Sequence, residues 1–278
     1  MTDILLKKID SLPPLPKTIL DLEEFKKSSN KDLDVLLKIL EQDPLIIATL
    51  LKVSNSAMFG FNNKVENAAR AIHLLGVNFT LSIAFGSAIK NAFDTDLKAY
   101  NMTADGFMKL SNTTANLIKD WIGKTDNAMK EELLLPAFLF ETGRFILAGV
   151  ATEEHLDSDF YNKIQENPLA INEIEKEFFG ASSTQVTSSI FKHWNLSENL
   201  VETIAYVSDI DKCPARYKKE AQILNVASLI CNVIDPLADE FVEAGIQRAK
   251  SFGLETKFLK KAIEKLQDRI LDENAARR

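Results

Sequence analysis

Asp43-Pro44-Leu45-Ile46-Ile47-Ala48-Thr49-Leu50-Leu51-Lys52-Val53-Ser54-Asn55-Ser56-Ala57-Met58-Phe59-Gly60 is the stretch from which the rest of the chain is read. Asp43 is a helix N-cap: its carboxylate accepts from the orphan N–H groups of the next turn, and proline at the first helical position sacrifices no hydrogen bond. The helix it opens runs from Leu45 to about Asn55, where Asn55-Ser56 and then Gly60 break it. Upstream, Leu33, Leu36, Leu37 and Leu40 recur at i, i+3, i+4 and i+7, an amphipathic stripe, with Asn30 as its cap and a helix over 17–27 before it. Leu12-Pro13-Pro14-Leu15-Pro16 reads as an extended opening segment, because proline restricts the residue before it, so a helix is expected only after Pro16. Downstream, a short helix over about 66–75 stops at Gly76, which suits a left-handed C′ position, and Asn78 caps an apolar helix reaching about Phe93.

The first 95 residues are thus about five short helices with no convincing strand. The polar stretch 94–105 predicts a boundary between units at 1–95 and 96–278. A helix over about 104–122 follows, with Phe107, Leu110, Leu117 and Trp121 on roughly one face. Residues 131–150 predict one central buried helix, whose regularity Gly143 and Gly149 weaken. Short helices are expected at about 170–179, 183–194 and 197–208, then a longer one opened by Pro214 and ended by Pro236, and two terminal helices at about 239–252 and 256–271. Ten Gly and eight Pro in 278 residues fit this all-α reading, and a 46% hydrophobic composition supplies a sizeable core.

Charge excludes some functions. The net charge is −7, and it arises after residue 95, the first part being balanced. A nucleic-acid partner is not expected without a basic stripe. The one candidate, 257–278, is interleaved with Glu264, Asp268, Asp272 and Glu273, the pattern of a solvated helical face. Cys213 and Cys231 form no CxxC pair and imply no disulfide framework, which fits a reducing cytoplasm. No signal-peptide core and no run of about 20 apolar residues is present, so no membrane span is expected.

Catalytic material is sparse. His73, His155 and His193 stand apart from one another, outside any HExxH or HxxxH pairing. No phosphate-binding glycine loop and no GxSxG elbow occurs. Ser182 and Ser183 lie at a helix start, where capping is the ordinary role. Cys213, just before Pro214, reads as a bystander, although a helix start there would lower its thiol pKa. Glu141 lies in the apolar 133–150 segment; a carboxylate so placed is either an acid–base group with a raised pKa or the partner in a hydrogen bond or ion pair at the edge of the core.

The pattern DPxxxxxLLxxxNSAxFG over 43–60, with Leu12-Pro13-Pro14-Leu15-Pro16 before it and Ala71-Ile72-His73-Leu74-Leu75-Gly76 after it, resembles the signature of the HDOD family from about residue 10 to about 210. The resemblance implies an N-terminal helical bundle followed by a degenerate HD-like helical bundle, the C-terminal helices over 214–271 being inferred from pattern alone. Active HD enzymes hold metal ions with His and Asp side chains. Aligned on that pattern, Leu110 takes the place of the first histidine, Phe140 and Glu141 those of the His-Asp pair, Ser183 that of a later histidine, and Tyr206-Val207 that of a final pair. One carboxylate does not make a metal site.

The resemblance therefore implies a non-enzymatic, metal-free bacterial signal-transduction protein, needing no cofactor and acting through protein contacts or a small ligand. Asp43, Pro44, Asn55, Ser56 and Gly60 are the candidate binding residues, in a groove between the N-terminal helices and the HD-like bundle. The alternative is a cryptic metal-dependent phosphohydrolase of the HD superfamily.

Overall fold

A computed structural model describes residues 1–61, 63–93 and 95–276, without the side chains of residues 273, 274 and 276. Asp94, at the start of the polar boundary stretch, Arg278 and the side chain of Glu273 lie outside that description. Among the described residues there is no β-strand, only an isolated bridge between Leu97 and Met102. The helices are α1 (Asp3–Asp10), α2 (Lys17–Lys27), α3 (Leu33–Leu40), α4 (Pro44–Ser54), α5 (Ala68–Leu75), α6 (Val77–Ala92), α7 (Ala104–Trp121), α8 (Asn127–Leu139), α9 (Arg144–Glu153), α10 (Asp157–Glu166), α11 (Ile171–Phe179), α12 (Ser183–His193), α13 (Glu198–Ala205), α14 (Lys218–Ile230), α15 (Asp239–Ser251) and α16 (Lys257–Ala276).

The all-α expectation holds, and the differences are local. Helix α2 follows the prolines over Lys17–Lys27 as expected, and an additional helix, α1, precedes them. Thr2 caps it, and Leu5 and Ile9, one turn apart, are buried where α1 packs on α9 and α12. Asp32, not Asn30, caps α3, its carboxylate accepting from Asp34 N–H at 2.9 Å. Gly76 holds the cap position of α6. Asn78 lies inside the first turn and donates to Glu131 Oε2 at 2.7 Å. The 131–150 segment is two helices, α8 and α9, separated by a turn over 140–143. Helix α10 fills a stretch in which no helix is read from the sequence. Pro214 opens a single 3-10 turn before α14, which ends at Ile230, short of Pro236.

Helix α6 is buried over most of its length and packs on α2, α4 and α5 on one side and α7 and α8 on the other. Apolar packing runs unbroken through it from the N-terminal helices into the larger bundle. Helix α7 is surrounded by α6, α8, α14 and α16. The C-terminal helix is tied to it by Asp120, whose carboxylate meets Lys265 at 2.8 Å and Arg269 at 3.2 Å. The stretch Asn127–Glu153 is long and apolar enough to cross a bilayer by length and composition. Here it is broken by the 140–143 turn and mostly buried within the fold.

Candidate functional site

The end of α4, the end of α6 and the first turns of α7 enclose a cleft of about 840 Å3 between the N-terminal helices and the larger bundle. Lys52, Asn55 and Ser56 line one wall, Lys90 the second, and Asp105 and Asn112 the third. Lys52 Nζ donates to Asp105 Oδ2 at 2.9 Å, and Lys90 Nζ donates to Asp105 Oδ1 at 2.6 Å. One carboxylate thus bridges three helices. Its hydrogen bonds to Lys90 and Lys52 hold its pKa down at about 2.

The signature residues divide between scaffold and cleft. Asp43 caps α4, accepting from Leu45 N–H at 2.9 Å, with Pro44 as the first helical residue. Gly60 has φ +60°, the left-handed turn that ends the segment. None of these three lines the cleft, whereas Asn55 and Ser56 do. The Asn55 amide donates to Leu51 O and Val65 O and accepts from Val65 N–H, each at 2.8 Å. It thereby pins the returning chain to the end of α4. Ser56 Oγ is buried without a hydrogen-bond partner. Asn55→Ala strands both polar groups of Val65. Unfolding in urea is expected to show a loss of about 2 kcal/mol, and a change within about 0.5 kcal/mol would contradict the clamp.

The positions aligned with HD metal ligands lie elsewhere. Glu141, in the turn between α8 and α9, accepts from Ser183 Oγ at 2.6 Å and pairs with Arg144 Nη2 at 3.1 Å. Arg144 Nε is 3.6 Å from Glu175 Oε1 on α11, a charge contact outside hydrogen-bonding range. Glu175 accepts from Tyr100 OH at 3.0 Å and from Ser183 N–H at 2.5 Å. The Arg144 guanidinium also lies over the Tyr100 ring, 5.3 Å from its centre. Glu141, Arg144 and Glu175 are 8%, 4% and 0% exposed, so the set is largely shielded from water, with Glu141 at its edge.

These residues do not fit a metal. Leu110 and Phe140 are buried apolar side chains without donor atoms. Glu141 is already engaged by a serine hydroxyl and a guanidinium, and a cation beside it would face the fixed charge of Arg144. Tyr206 caps the end of α13 and packs in a separate small cluster with Cys213, Tyr217 and Ala221. Among the described residues, no group of three or more His, Cys, Asp or Glu side chains is placed to hold a metal ion.

Burial, opposed by Arg144 and reinforced by Glu141, raises the Glu175 pKa from 4.5 to about 7. Burial and the Glu175 charge push the Tyr100 hydroxyl well above its ordinary value. When Glu175 is protonated, the Tyr100 hydroxyl can turn to accept from it instead of donating. The folded protein holds this proton more tightly than the unfolded chain does. The resulting stability is complete below pH 4.5 and is lost as pH rises to about 7, on the order of 3 kcal/mol in all. Urea unfolding at pH 5 and pH 8 is expected to show that decline in the wild type and to lose it in Glu175→Gln. An unchanged slope in the glutamine variant would assign the effect to another group.

The sequence singled out Glu141 and Ser183, which meet, and Leu110, Phe140 and Tyr206, which do not join them. It missed Tyr100 and Glu175. The available signal for Glu175 was its register, four residues from both Ile171 and Phe179 and so on the apolar side of α11, apart from Glu173 and Glu177. The Cys213 thiol is raised by burial, with Lys218 opposing, so the lowering at a helix start does not occur.

The sequence profile of the HDOD domain matches residues 12–210. Similar solved structures include a virulence factor of Campylobacter jejuni, 26% identical, covering 98% of each chain with a TM-score of 0.55. An HDOD domain protein of Geobacter sulfurreducens is 17% identical, covering 98% of this chain and 94% of its own, with a TM-score of 0.70. A Shewanella amazonensis protein provisionally named a phosphohydrolase is 21% identical, covering 96% and 94%, with a TM-score of 0.67. An uncharacterized protein of Treponema pallidum is 20% identical over 82% of this chain, which spans only 44% of that relative.

Proposed function

The chain belongs to the HDOD family, and on that premise we propose that it is a non-catalytic regulatory protein of signal transduction, acting by binding a protein or a small ligand. The observation that carries this reading is Arg144, whose guanidinium lies 3.1 Å from the one carboxylate left at the HD positions. A fixed cation there substitutes for the mobile one that HD chemistry needs, and the buried pairing rigidifies the turn it occupies. The two free cysteines suit a reducing compartment.

A cryptic phosphohydrolase would need a ligand set drawn from residues other than these. Metal analysis of the purified protein, with a screen against phosphodiester and nucleotide substrates, separates the two readings. The regulatory reading expects substoichiometric metal and no turnover. Stoichiometric metal, with turnover abolished by Glu141→Ala, would sink it. Partners are identified by affinity purification from the native host followed by mass spectrometry.

A further inference from the structure

We infer that the cleft between α4, α6 and α7 is a binding site for a small organic anion, its phosphate or carboxylate taken by Lys52 and Lys90 and its apolar portion by the walls below them. This deepens the regulatory reading, on which it rests for the ligand being an effector and not a substrate.

Three observations lead there. First, the cleft runs against the charge of the whole: in a chain of net charge −7, two lysines, Lys52 and Lys90, line it around one carboxylate, Asp105, among the described residues. A concave wall with an excess of one sign concentrates ligands of the other. Second, the cleft already holds an anion of its own. Ammonium groups from α4 and α6 converge on the two oxygens of Asp105, at 2.9 and 2.6 Å, the geometry in which they would hold an external carboxylate or phosphate. Asp105 is 60% exposed and has room to turn out into water. Exposed pairs of this kind are held weakly, so a better-placed dianion displaces the carboxylate at little cost. Third, the rest of the lining suits an organic ligand. Ala48, Val53, Met58 and Met108 supply apolar surface, the two thioethers adapting to shape. Ser56 Oγ, in the same wall, is buried and unpartnered. A volume of about 840 Å3 is that of a small-molecule site.

The test is isothermal titration of the full chain with phenyl phosphate, which carries a dianion and a ring, against benzyl alcohol, which carries the ring alone. Saturable binding of phenyl phosphate is expected, and at least tenfold weaker binding of benzyl alcohol. The double variant Lys52→Ala/Lys90→Ala is expected to weaken phenyl phosphate at least tenfold while its circular dichroism is unchanged. Asp105→Asn, which removes the competing carboxylate and leaves both lysines, is expected to tighten it severalfold. Absence of binding at millimolar phenyl phosphate, equal binding of benzyl alcohol, or affinity indifferent to both variants would overturn the inference. Phenol is assayed in the same samples with added divalent metal. Its release would overturn the regulatory reading and leave the binding inference to the titration, whereas failure to bind, without phenol, would overturn the inference alone.

Discussion

Replacing Arg144 by alanine is expected to destabilise the protein by about 3–5 kcal/mol at pH 8, because it leaves two carboxylates buried without the cation between them. Glu141 would keep only the Ser183 hydroxyl, and Glu175 only Tyr100 OH and Ser183 N–H. The loss should shrink at pH 5, where Glu175, with a pKa already near 7 in the native protein, takes up a proton. Arg144→Lys keeps the charge without the planar fork and should fall between the two. The triple variant Arg144→Met/Glu141→Gln/Glu175→Gln removes every charge and keeps an acceptor for each Ser183 donor, while the Tyr100 hydroxyl can turn to accept from the amide NH2 at position 175. It should cost less than Arg144→Ala alone, since what is expensive is the unpaired buried charge and not the absence of the pair. Urea unfolding at the two pH values measures all of these. A loss below about 1 kcal/mol for Arg144→Ala at pH 8 would show that its partners reach water.

The second large effect is expected from the smallest change. Gly143→Ala should lower stability by about 3 kcal/mol or more, which in a chain of this size corresponds to a fall in Tm of about 6–12 °C. Gly143 has φ −58°, an ordinary helical value, so its backbone conformation does not call for glycine. Space does. An added Cβ would be driven into the Ser183 carbonyl oxygen and would sit 2.9 Å from both Thr187 N and Val186 Cβ. Two of these three atoms are backbone and cannot swing aside. The same contact lets Gly143 N–H donate to Thr187 Oγ1 at 2.7 Å, joining the 140–143 turn to α12. Gly149→Ala in α9 is the control. Its nearest neighbours are 3.5 Å or more away, so the better helix propensity of alanine should leave stability unchanged or raised by up to about 1 kcal/mol. A Tm for Gly143→Ala within 2 °C of the wild type would mean that α12 shifts to make room.

The two variants probe one construction. Gly143 brings the turn against the start of α12, which places Ser183 Oγ on Glu141 and Ser183 N–H on Glu175. Arg144, the next residue, then closes the charge set. Of that construction, Glu141 and Ser183 stood out as aligned positions and Gly143 as a weak point in the apolar 131–150 segment, while Tyr100 and Glu175 did not stand out. Arg144 lies in the same apolar segment as Glu141, but local pattern does not say which distant carboxylate it would meet. Glu175 was hidden in a helix whose polar residues look like a solvated face until the packing of α10 and α9 against it is known.

What the sequence determined by itself is what depends on residues within a turn or two of one another. The all-α class, the Asp43-Pro44 start of α4, the stop at Gly60 and the family signature are of that kind, because caps, apolar periodicity and left-handed turns are settled by hydrogen bonds and sterics over about four residues. The misplaced caps at Asn30 and Asn78 were errors of two residues: Asp32 takes an orphan N–H group of α3, whereas α6 starts at Gly76 with no side-chain cap and the Asn78 side chain turns to Glu131. Only the tertiary structure decided the rest. Tyr100 meets Glu175 across 75 residues and Ser183 meets Glu141 across 42. Lys52 and Lys90 become one anion-binding pair because α4 and α6 pack together and α7 delivers Asp105 between them. Buried charges must find their counter-charges wherever the fold brings them, and local pattern carries no record of that pairing.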